Sequence, residues 1–232
     1  MRNSKLYKSQ VNAFERERKY SVLEAINVLK AMPHVKFDET VEVALKLGVD
    51  TRKSDQTVRG AVSLPRGTGK TVRIAVVADG AQAADAKAAG ADFVGFEDIV
   101  EKIKGGWADF DVLIATPDAM KLVRPLGRQL GPRGLMPNPK TGTVTDQVAN
   151  AVAEAKAGRA EFRADRGGCV HVPFGKVSFE AEALQENFNA IVDAIDKAKP
   201  ATAKGTYIIS CTISSTMSPG VKIDAKELVR AK

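Results

Sequence analysis

A glycine-rich segment, Gly67–Thr71 (GTGKT), has the residue types that hold phosphate in nucleotide-binding proteins. A complete P-loop also needs a glycine five positions before Gly69, where this chain has Leu64, and a helix directly after the loop. The residues after Thr71 are apolar and predict a strand instead. A dinucleotide-binding fingerprint is missing too, because Asp79-Gly80 supplies a single glycine. A nucleotide-binding enzyme built on the middle of the chain therefore stays the disfavoured alternative.

Histidine and cysteine are scarce in the sequence, which has His34, His171, Cys169 and Cys211. Their spacing fits no metal-ligand set, and no pair of carboxylates can be assigned to a cleft. We expect both histidines at the surface, because His34 follows Pro33 in a loop and His171 points away from its apolar neighbours. We expect both cysteines to be free thiols in strands. The sequence predicts no catalytic residue, metal or cofactor, so we do not expect an enzyme.

Small hydroxyl side chains alternate with apolar ones along the last predicted strand, about Thr206 to Thr216. The apolar set is Tyr207, Ile209, Cys211 and Ile213, and the hydroxyl set is Ser210, Thr212, Ser214 and Thr216. A row of hydroxyls on an open sheet face can exchange hydrogen bonds with ribose 2′-hydroxyls and phosphates. An ordinary solvent-exposed strand face has the same composition. The pattern alone leaves both interpretations open.

The segment Arg124–Thr145 combines glycine, proline and basic residues with too little periodicity for a long helix. A loop of this kind can present Arg124, Arg128, Arg133 and Lys140 to RNA phosphates. It can equally be a rigid connector shaped by proline and glycine.

The two ends of the chain predict antiparallel α+β structure. Ser21 and Glu24 have the spacing of a capping box that opens a helix through about Lys30. The predicted strands cover 41–49, 58–64, 170–174 and 206–216, and a second helix covers about 184–195, before Pro200. Neither end has enough elements for a core of its own, so we expect the two to fold together.

The middle of the chain has a different pattern. The apolar runs at 72–78, 92–96 and 111–116 alternate with helical segments at 81–89 and 97–104, which is typical of a parallel sheet covered on both faces. We therefore predict a discontinuous α+β sandwich domain, residues 1–66 and 159–232, interrupted by a three-layer α/β domain, residues 67–158.

The net charge of +7 is unevenly distributed. Residues 1–66 have 13 Lys/Arg and 8 Asp/Glu, residues 67–158 have 11 of each, and residues 159–232 have 11 and 9. An excess confined to the predicted discontinuous domain favours a polyanionic partner for that domain. No apolar run is long enough to span a membrane, and the basic, polar first residues do not resemble a secretion signal. We expect a cytoplasmic protein.

Four segments resemble the bacterial large-subunit ribosomal protein L1 family: Lys36–Val43 (KFDETVEV), Arg52–Gly60 (RKSDQTVRG), Leu130–Lys140 (LGPRGLMPNPK) and Ser215–Met217 (STM). The resemblance covers almost the whole chain. It implies a split RNA-binding domain interrupted by a Rossmann-like domain, in a protein of the mobile stalk beside the tRNA exit site. The implied partners are large-subunit rRNA, exit-site tRNA and the message of its own operon, which such proteins repress. We expect a monomer when free, with no membrane partner.

The resemblance, read with the alternation, predicts the RNA-binding residues. They are Lys36, Phe37, Thr40, Glu42, Lys46, Arg52, Lys53, Asp165, Arg166, Gly167, His171, Gly175, Lys176, Ser210, Thr212, Ser214, Thr216, Met217 and Gly220. The chain departs from the family pattern at Ser218, where glycine is usual. If that position needs a positive φ, serine would be strained there.

Overall fold

The computed structural model describes residues 4–225 and Leu228, with the side chains of all of them except Ser54 and Lys140. The chain divides into two compact units. The first, which we call the terminal unit, combines Met1–Gly69 with Ala160–Lys232, and the second, the inserted unit, is Lys70–Arg159.

The elements of the described chain follow in order. The helices are α1 (Lys5–Asn12), α2 (Val22–Ala31), α3 (Gly80–Ala88), α4 (Glu97–Lys104), α5 (Met120–Val123), α6 (Gly127–Leu130), α7 (Val148–Gly158) and α8 (Ala181–Lys197). The strands are β1 (Thr40–Leu47), β2 (Arg59–Ser63), β3 (Ile74–Val77), β4 (Phe93–Gly95), β5 (Val112–Ala115), β6 (Arg159–Arg163), β7 (Cys169–Lys176), β8 (Ile208–Ser215) and β9 (Val221–Ile223). Short 3-10 helices lie at Ser54–Gln56, Arg124–Leu126 and Pro139–Thr141.

The terminal unit is built on a four-stranded antiparallel sheet in the order β7-β1-β8-β9. Its inner strand β1 comes from the N-terminal part of the chain and pairs on both sides with C-terminal strands. Strands from the two ends of the chain therefore share one sheet. Along β1, Val41, Val43, Leu45 and Leu47 are fully buried and alternate with more exposed residues. Strands β2 and β6 form a separate two-stranded sheet.

Two helices cover the buried face of this sheet. Helix α2 begins with the predicted capping box, in which Ser21 and Glu24 each bond to the other's backbone N–H, and it packs against β8, β9 and α8. Helix α8 packs against β7 and β2, burying Leu184, Phe188, Ile191, Val192 and Ile195. Each such side chain contributes roughly 1.5–3 kcal/mol through burial. The opposite face of the sheet stays available to a partner.

A buried amide anchors the glycine-rich segment that resembles the end of a P-loop. The Asn187 side-chain oxygen accepts from the backbone N–H of Arg66 (3.0 Å), and its nitrogen donates to the carbonyls of Gly67 (2.9 Å) and Phe174 (2.8 Å). The next element is strand β3, not a helix. The segment thus lacks the helix N-terminus that a phosphate loop requires, as its sequence predicts.

The inserted unit has a parallel three-stranded sheet in the order β4-β3-β5. Ala75 and Val77 of β3 pack in one apolar cluster with residues of α4, and Ile74 and Val76 pack in another with residues of α3 and α7. Because both faces are covered, all four residues of β3 are buried. The structure confirms the predicted fold class, an antiparallel α+β part and a three-layer parallel α/β part.

Six helices and strands of the described chain lack a sequence prediction: α1, α5, α6, α7, β6 and β9. Helix α1 buries only Gln10 and so has no apolar stripe, while β6 and β9 have five and three residues. The alternation predicts that Ile209 shares the apolar side of the strand with Cys211 and Ile213, and this prediction is wrong. The pairing of β1 with β8 shifts between Lys46 and Leu47, which leaves Ile209 unpaired and 53% exposed. In the described part of the chain, no helix combines the length and apolarity that crossing a membrane requires.

Candidate nucleic-acid interface

The open face of the four-stranded sheet, which we call the outer face, collects the predicted polar residues into rows. In the register of β7, β1 and β8, Lys46 lies between Cys169 and Ser210, Ala44 between His171 and Thr212, and Glu42 between Pro173 and Ser214. Lys222 of β9 lies beside Thr212. The hydroxyl set of β8 points outward, as predicted. At about 3.3 Å per residue and about 4.8 Å per strand, the face measures roughly 23 by 14 Å.

Hydrogen bonds join three strand ends around Thr40: the start of β1, the end of β7 and the turn after β8. The Thr216 hydroxyl accepts from the backbone N–H of Thr40 (3.0 Å) and lies 3.4 Å from the Thr40 carbonyl oxygen. The Lys176 ammonium donates to the Thr40 hydroxyl (2.9 Å) and to the Asp38 carbonyl (3.3 Å). Thr216 is nevertheless exposed, so its hydroxyl oxygen can still reach a partner.

A buried carboxylate lies beside this strand end. The Glu39 side chain is fully buried. Its Oε1 accepts from the Val35 backbone N–H (3.1 Å) and from His34 Nδ1 (3.1 Å), and its Oε2 accepts from the Met217 backbone N–H (3.0 Å) and the Ser215 hydroxyl (2.5 Å). Burial by itself raises the pKa of Glu39, but these hydrogen bonds outweigh it and hold the pKa below the ordinary value of 4.5. The group is an anion at neutral pH.

Two large apolar side chains near Glu39 are exposed. One is close to Glu39 in the sequence, and the other belongs to a residue whose backbone is hydrogen-bonded to it. Phe37 is 55% exposed and Met217 is 51% exposed. Phe37 lies two residues before Glu39, and the backbone of Met217 bonds to the Glu39 carboxylate. Large apolar groups kept out of a core are suited to stacking or packing against unpaired bases.

The other end of the sheet presents a turn with exposed basic residues. Within the turn Asp165–Cys169, the Cys169 backbone N–H donates to the Asp165 carboxylate (2.8 Å), and this is the main reason that the pKa of Asp165 is lowered. The Lys46 ammonium donates to the Gly167 carbonyl. Arg52, Lys53 and Arg166 are exposed, and none of them forms an ion pair with another described residue. Exposed cations without an ion-pair partner suit a phosphate backbone.

Comparison with known proteins shows the family to which the chain belongs. Residues 29–219 match the profile of the ribosomal protein L1p/L10e family. The chain belongs to this family. Three similar proteins are each named large ribosomal subunit protein uL1. The one from Methylobacillus flagellatus is 56% identical over 97% of this chain and 98% of its own length, and the one from Chlamydia trachomatis is 57% identical over 93% of each. The one from Streptococcus gordonii is 56% identical over 98% of this chain and 99% of its own length. The resemblance found in the sequence is confirmed.

Gly175 and His34 lie in other environments than the sequence predicts. Gly175 is buried, and a Cβ there would come within 2.5 Å of Leu184 Cδ2, so it faces the core. The cause is a register shift after Val41, which turns both Phe174 and Gly175 inward. His34 is not a simple surface residue, because its side chain is 19% exposed and bonds to Glu39. His171 is exposed, as predicted, and both cysteines are free.

Ser218, the departure from the family pattern, is accommodated without strain. Among the described residues, positive φ angles occur only at glycines. The Ser218 hydroxyl accepts from the Ser215 backbone N–H (2.8 Å), and its own N–H donates to the Ser215 carbonyl (3.2 Å). The serine therefore closes the turn that carries Thr216 and Met217. Gly220 follows, and its missing side chain leaves room for the Thr212 methyl, 2.7 Å from the position of a Cβ.

The basic segment of the inserted unit is a chain of short elements, α5, α6 and 3-10 turns, with no long helix. Arg124, Arg128 and Arg133 are exposed, and none of the three pairs with a described carboxylate. The side chain of Lys140 lies outside the described residues. Among the described residues, no group of three His, Cys, Asp or Glu is arranged to hold a metal.

Three polar residues at or beneath this surface lack a sequence prediction: the buried Glu39 and Ser215, and the exposed Lys222. A signal existed for Ser215, because it follows Cys211 and Ile213 on the buried side of the alternation. A hydroxyl at a core position implies a buried polar partner, and that partner is Glu39. Lys222 belongs to the three-residue strand β9, which was too short for its alternation to be recognised.

Proposed function

We propose that this chain is a structural component of the large ribosomal subunit that binds large-subunit rRNA through the outer face of the terminal unit. The observation that carries the proposal is the row of outward hydroxyls on one open sheet, together with unpaired cations and exposed apolar side chains in the loops and turns next to its strands. Family membership supports the ribosomal assignment, and the names of the relatives support the large subunit. The charge supports the choice of unit: the terminal unit has 23 Lys/Arg and 17 Asp/Glu, against 12 and 11 in the inserted unit.

The chemistry of the face favours recognition of RNA shape. Hydroxyl groups such as that of Thr212 can both donate to and accept from ribose 2′-hydroxyls, which DNA lacks. Lys36, Arg52, Lys53 and Arg166 neutralise phosphates, and Phe37 and Met217 pack against bases or sugars. Lys46 and Lys176 also bond to neighbouring protein groups, so their main contribution is to order the surface.

The inserted unit would contact RNA through a loop segment and not through a sheet face. Its sheet has no open face, but its basic segment exposes Arg124, Arg128 and Arg133. We assign these residues, with Lys140, to contacts with exit-site tRNA or with rRNA, which would let the protein assist release of deacylated tRNA. Repression of its own message would use the outer face, through an mRNA element that imitates the rRNA site.

A salt series of dissociation constants tests the main assignment. The full chain would be titrated with a fragment of stalk rRNA and with a regular RNA duplex of equal length. We expect specific binding to the stalk fragment, with an affinity that falls steeply and linearly in logarithmic salt because several phosphates are neutralised. Equal affinity for both RNAs would refute recognition of this rRNA.

A further inference from the structure

Glu39 is a carboxylate buried beside a surface that is proposed to meet phosphates. It bonds at once to the loop that follows α2 and to the turn after β8. We propose that Glu39 is a positioning residue, which holds the loop Val35–Asp38 and the turn Ser215–Ser218 in the one arrangement that binds RNA. This inference rests on the rRNA-binding function proposed above.

The loop is fixed at both ends but not in its middle. Glu39 holds Val35, while Asp38 accepts from the Ser178 hydroxyl (2.8 Å) and the Ser178 backbone N–H (3.2 Å). Lys36 and Phe37 lie between these anchors and are exposed. The turn is fixed through Met217 and Ser215. One side chain therefore sets the position of Phe37 relative to Met217.

The geometry requires a carboxylate at this position. Oε1 faces the backbone N–H of Val35, and Oε2 faces the backbone N–H of Met217. A backbone N–H can only donate, so both oxygens must accept. Glutamine has the same shape, but its NH2 group would meet one of the two N–H groups as a second donor. Glu39→Gln therefore releases either the loop or the turn.

The sign of the effect on affinity separates positioning from electrostatics. Removing a carboxylate raises the net charge of the chain, and by charge alone a more positive protein binds RNA more tightly. Loss of a positioning group weakens binding instead, because the loop and turn must then be ordered at the moment of binding. Glu182→Gln is the matched control, since Glu182 is an exposed residue of α8 with the same change of charge.

The experiment measures dissociation constants of the full-length wild type, Glu39→Gln and Glu182→Gln for the stalk rRNA fragment across a salt series, well below each melting temperature. We expect Glu39→Gln to weaken binding about tenfold with an unchanged salt slope, and Glu182→Gln to bind as tightly as wild type or slightly more tightly. Wild-type or tighter binding by folded Glu39→Gln overturns the inference alone. Failure of the wild type to prefer this rRNA overturns the proposed function as well.

A double-mutant cycle separates positioning from mere stability. The effects of Phe37→Ala and Met217→Ala on the free energy of RNA binding should be coupled in the wild-type background. In the Glu39→Gln background they should be additive, because Glu39 links the two segments. A purely structural Glu39 would lower the melting temperature and leave the coupling intact. If Glu39→Gln does not fold, Ser215→Ala removes one of the four hydrogen bonds. We then expect a loss of affinity of several-fold at constant salt slope, and an unchanged affinity overturns the inference.

Discussion

The four-stranded sheet of the terminal unit and the three-stranded sheet of the inserted unit differ in what lies on their faces. In the inserted unit, α3 and α7 cover one side of β3 and α4 covers the other, so the whole strand is core. In the terminal unit, α2 and α8 cover one side of the four-stranded sheet, and on the other side its strand β1 presents Glu42 and Lys46. A parallel sheet joined by crossover helices has both faces occupied, whereas an antiparallel sheet can keep one face for a partner. The inserted unit therefore offers no open sheet face, and the RNA contacts proposed for it lie in its basic segment.

The strongest test of this difference separates the units. A chain in which 70–159 are replaced by a short linker should keep most of the affinity for stalk rRNA, because the outer face lies in the terminal unit. The inserted unit alone should bind this rRNA at least about a hundredfold more weakly, as a non-specific ligand. Dissociation constants at one salt concentration measure this, with circular dichroism as the control for folding. Affinity that follows the inserted unit would reverse the assignment.

Acid should affect the two units unequally. Glu39 and Asp111 both have lowered pKa values, Glu39 through the four hydrogen bonds that outweigh its burial and Asp111 mainly through the Arg73 backbone N–H. A carboxyl with a lowered folded pKa stabilises the fold above its unfolded pKa, and that stability is lost as the pH falls through the folded value. At pH 7 we expect Glu39→Gln to cost about 2 kcal/mol. Asp111→Asn should cost less than about 0.5 kcal/mol, because Asp111 is half exposed and screened.

Urea unfolding at pH 7 and below pH 4 measures the free energy of unfolding of the wild type and of both variants. Trp107, the single tryptophan, reports on the inserted unit, and circular dichroism follows both units. The gap between the free energies of unfolding of wild type and Glu39→Gln should narrow as the pH falls below about 4.5 and through the lower folded pKa of Glu39, because the unfolded chain takes up the proton first. A gap that is constant with pH would mean that Glu39 stabilises the fold through its shape alone.

An exchange between valine and threonine, made in opposite directions in β3 and β8, compares the closed sheet with the open one. Val76→Thr places a hydroxyl in the fully buried strand β3 and should lower the free energy of unfolding by about 1–3 kcal/mol. Thr212→Val removes a hydroxyl from the outer face and should change it by less than about 0.5 kcal/mol, while weakening RNA binding. Urea titrations measure both. If Thr212→Val destabilised the protein as much as Val76→Thr, the outer face would not be an open surface.

Thr216→Val tests a single hydroxyl of the interface. The exchange keeps the β-branched shape, and affinity should fall about tenfold without a change in salt slope, because no phosphate contact is lost. Lys36→Ala should instead reduce the salt slope by about one. Since the Thr216 hydroxyl also accepts from the Thr40 N–H, the melting temperature must be measured beside the dissociation constants. Wild-type affinity in folded Thr216→Val would remove this residue from the site.

Much of this architecture could be predicted because the patterns are local. The alternation of β1, the capping box at Ser21 and the apolar run of β3 each report their own environment. The buried network around Glu39 could not be, because it joins Glu39 to Ser215, 176 residues away. Ile209 was assigned to the wrong side for a related reason: a bulge is a property of the pairing of two strands. Local patterns predict which face is open, but long-range contacts decide how its edges are held.

The smallest expected effect on rRNA binding belongs to the basic segment of the inserted unit. Combined replacement of Arg124, Arg128 and Arg133 by Gln should change the affinity for stalk rRNA by less than about threefold, because these residues lie outside the terminal unit. The same variant should slow release of exit-site tRNA in a reconstituted system, since three cations that can meet phosphate are lost. Assembly into the subunit, measured by sedimentation, is the control and should be normal. A large loss of rRNA affinity would mean that the loops of the closed sheet share the binding of the open one, and unchanged tRNA release would leave the segment as a connector.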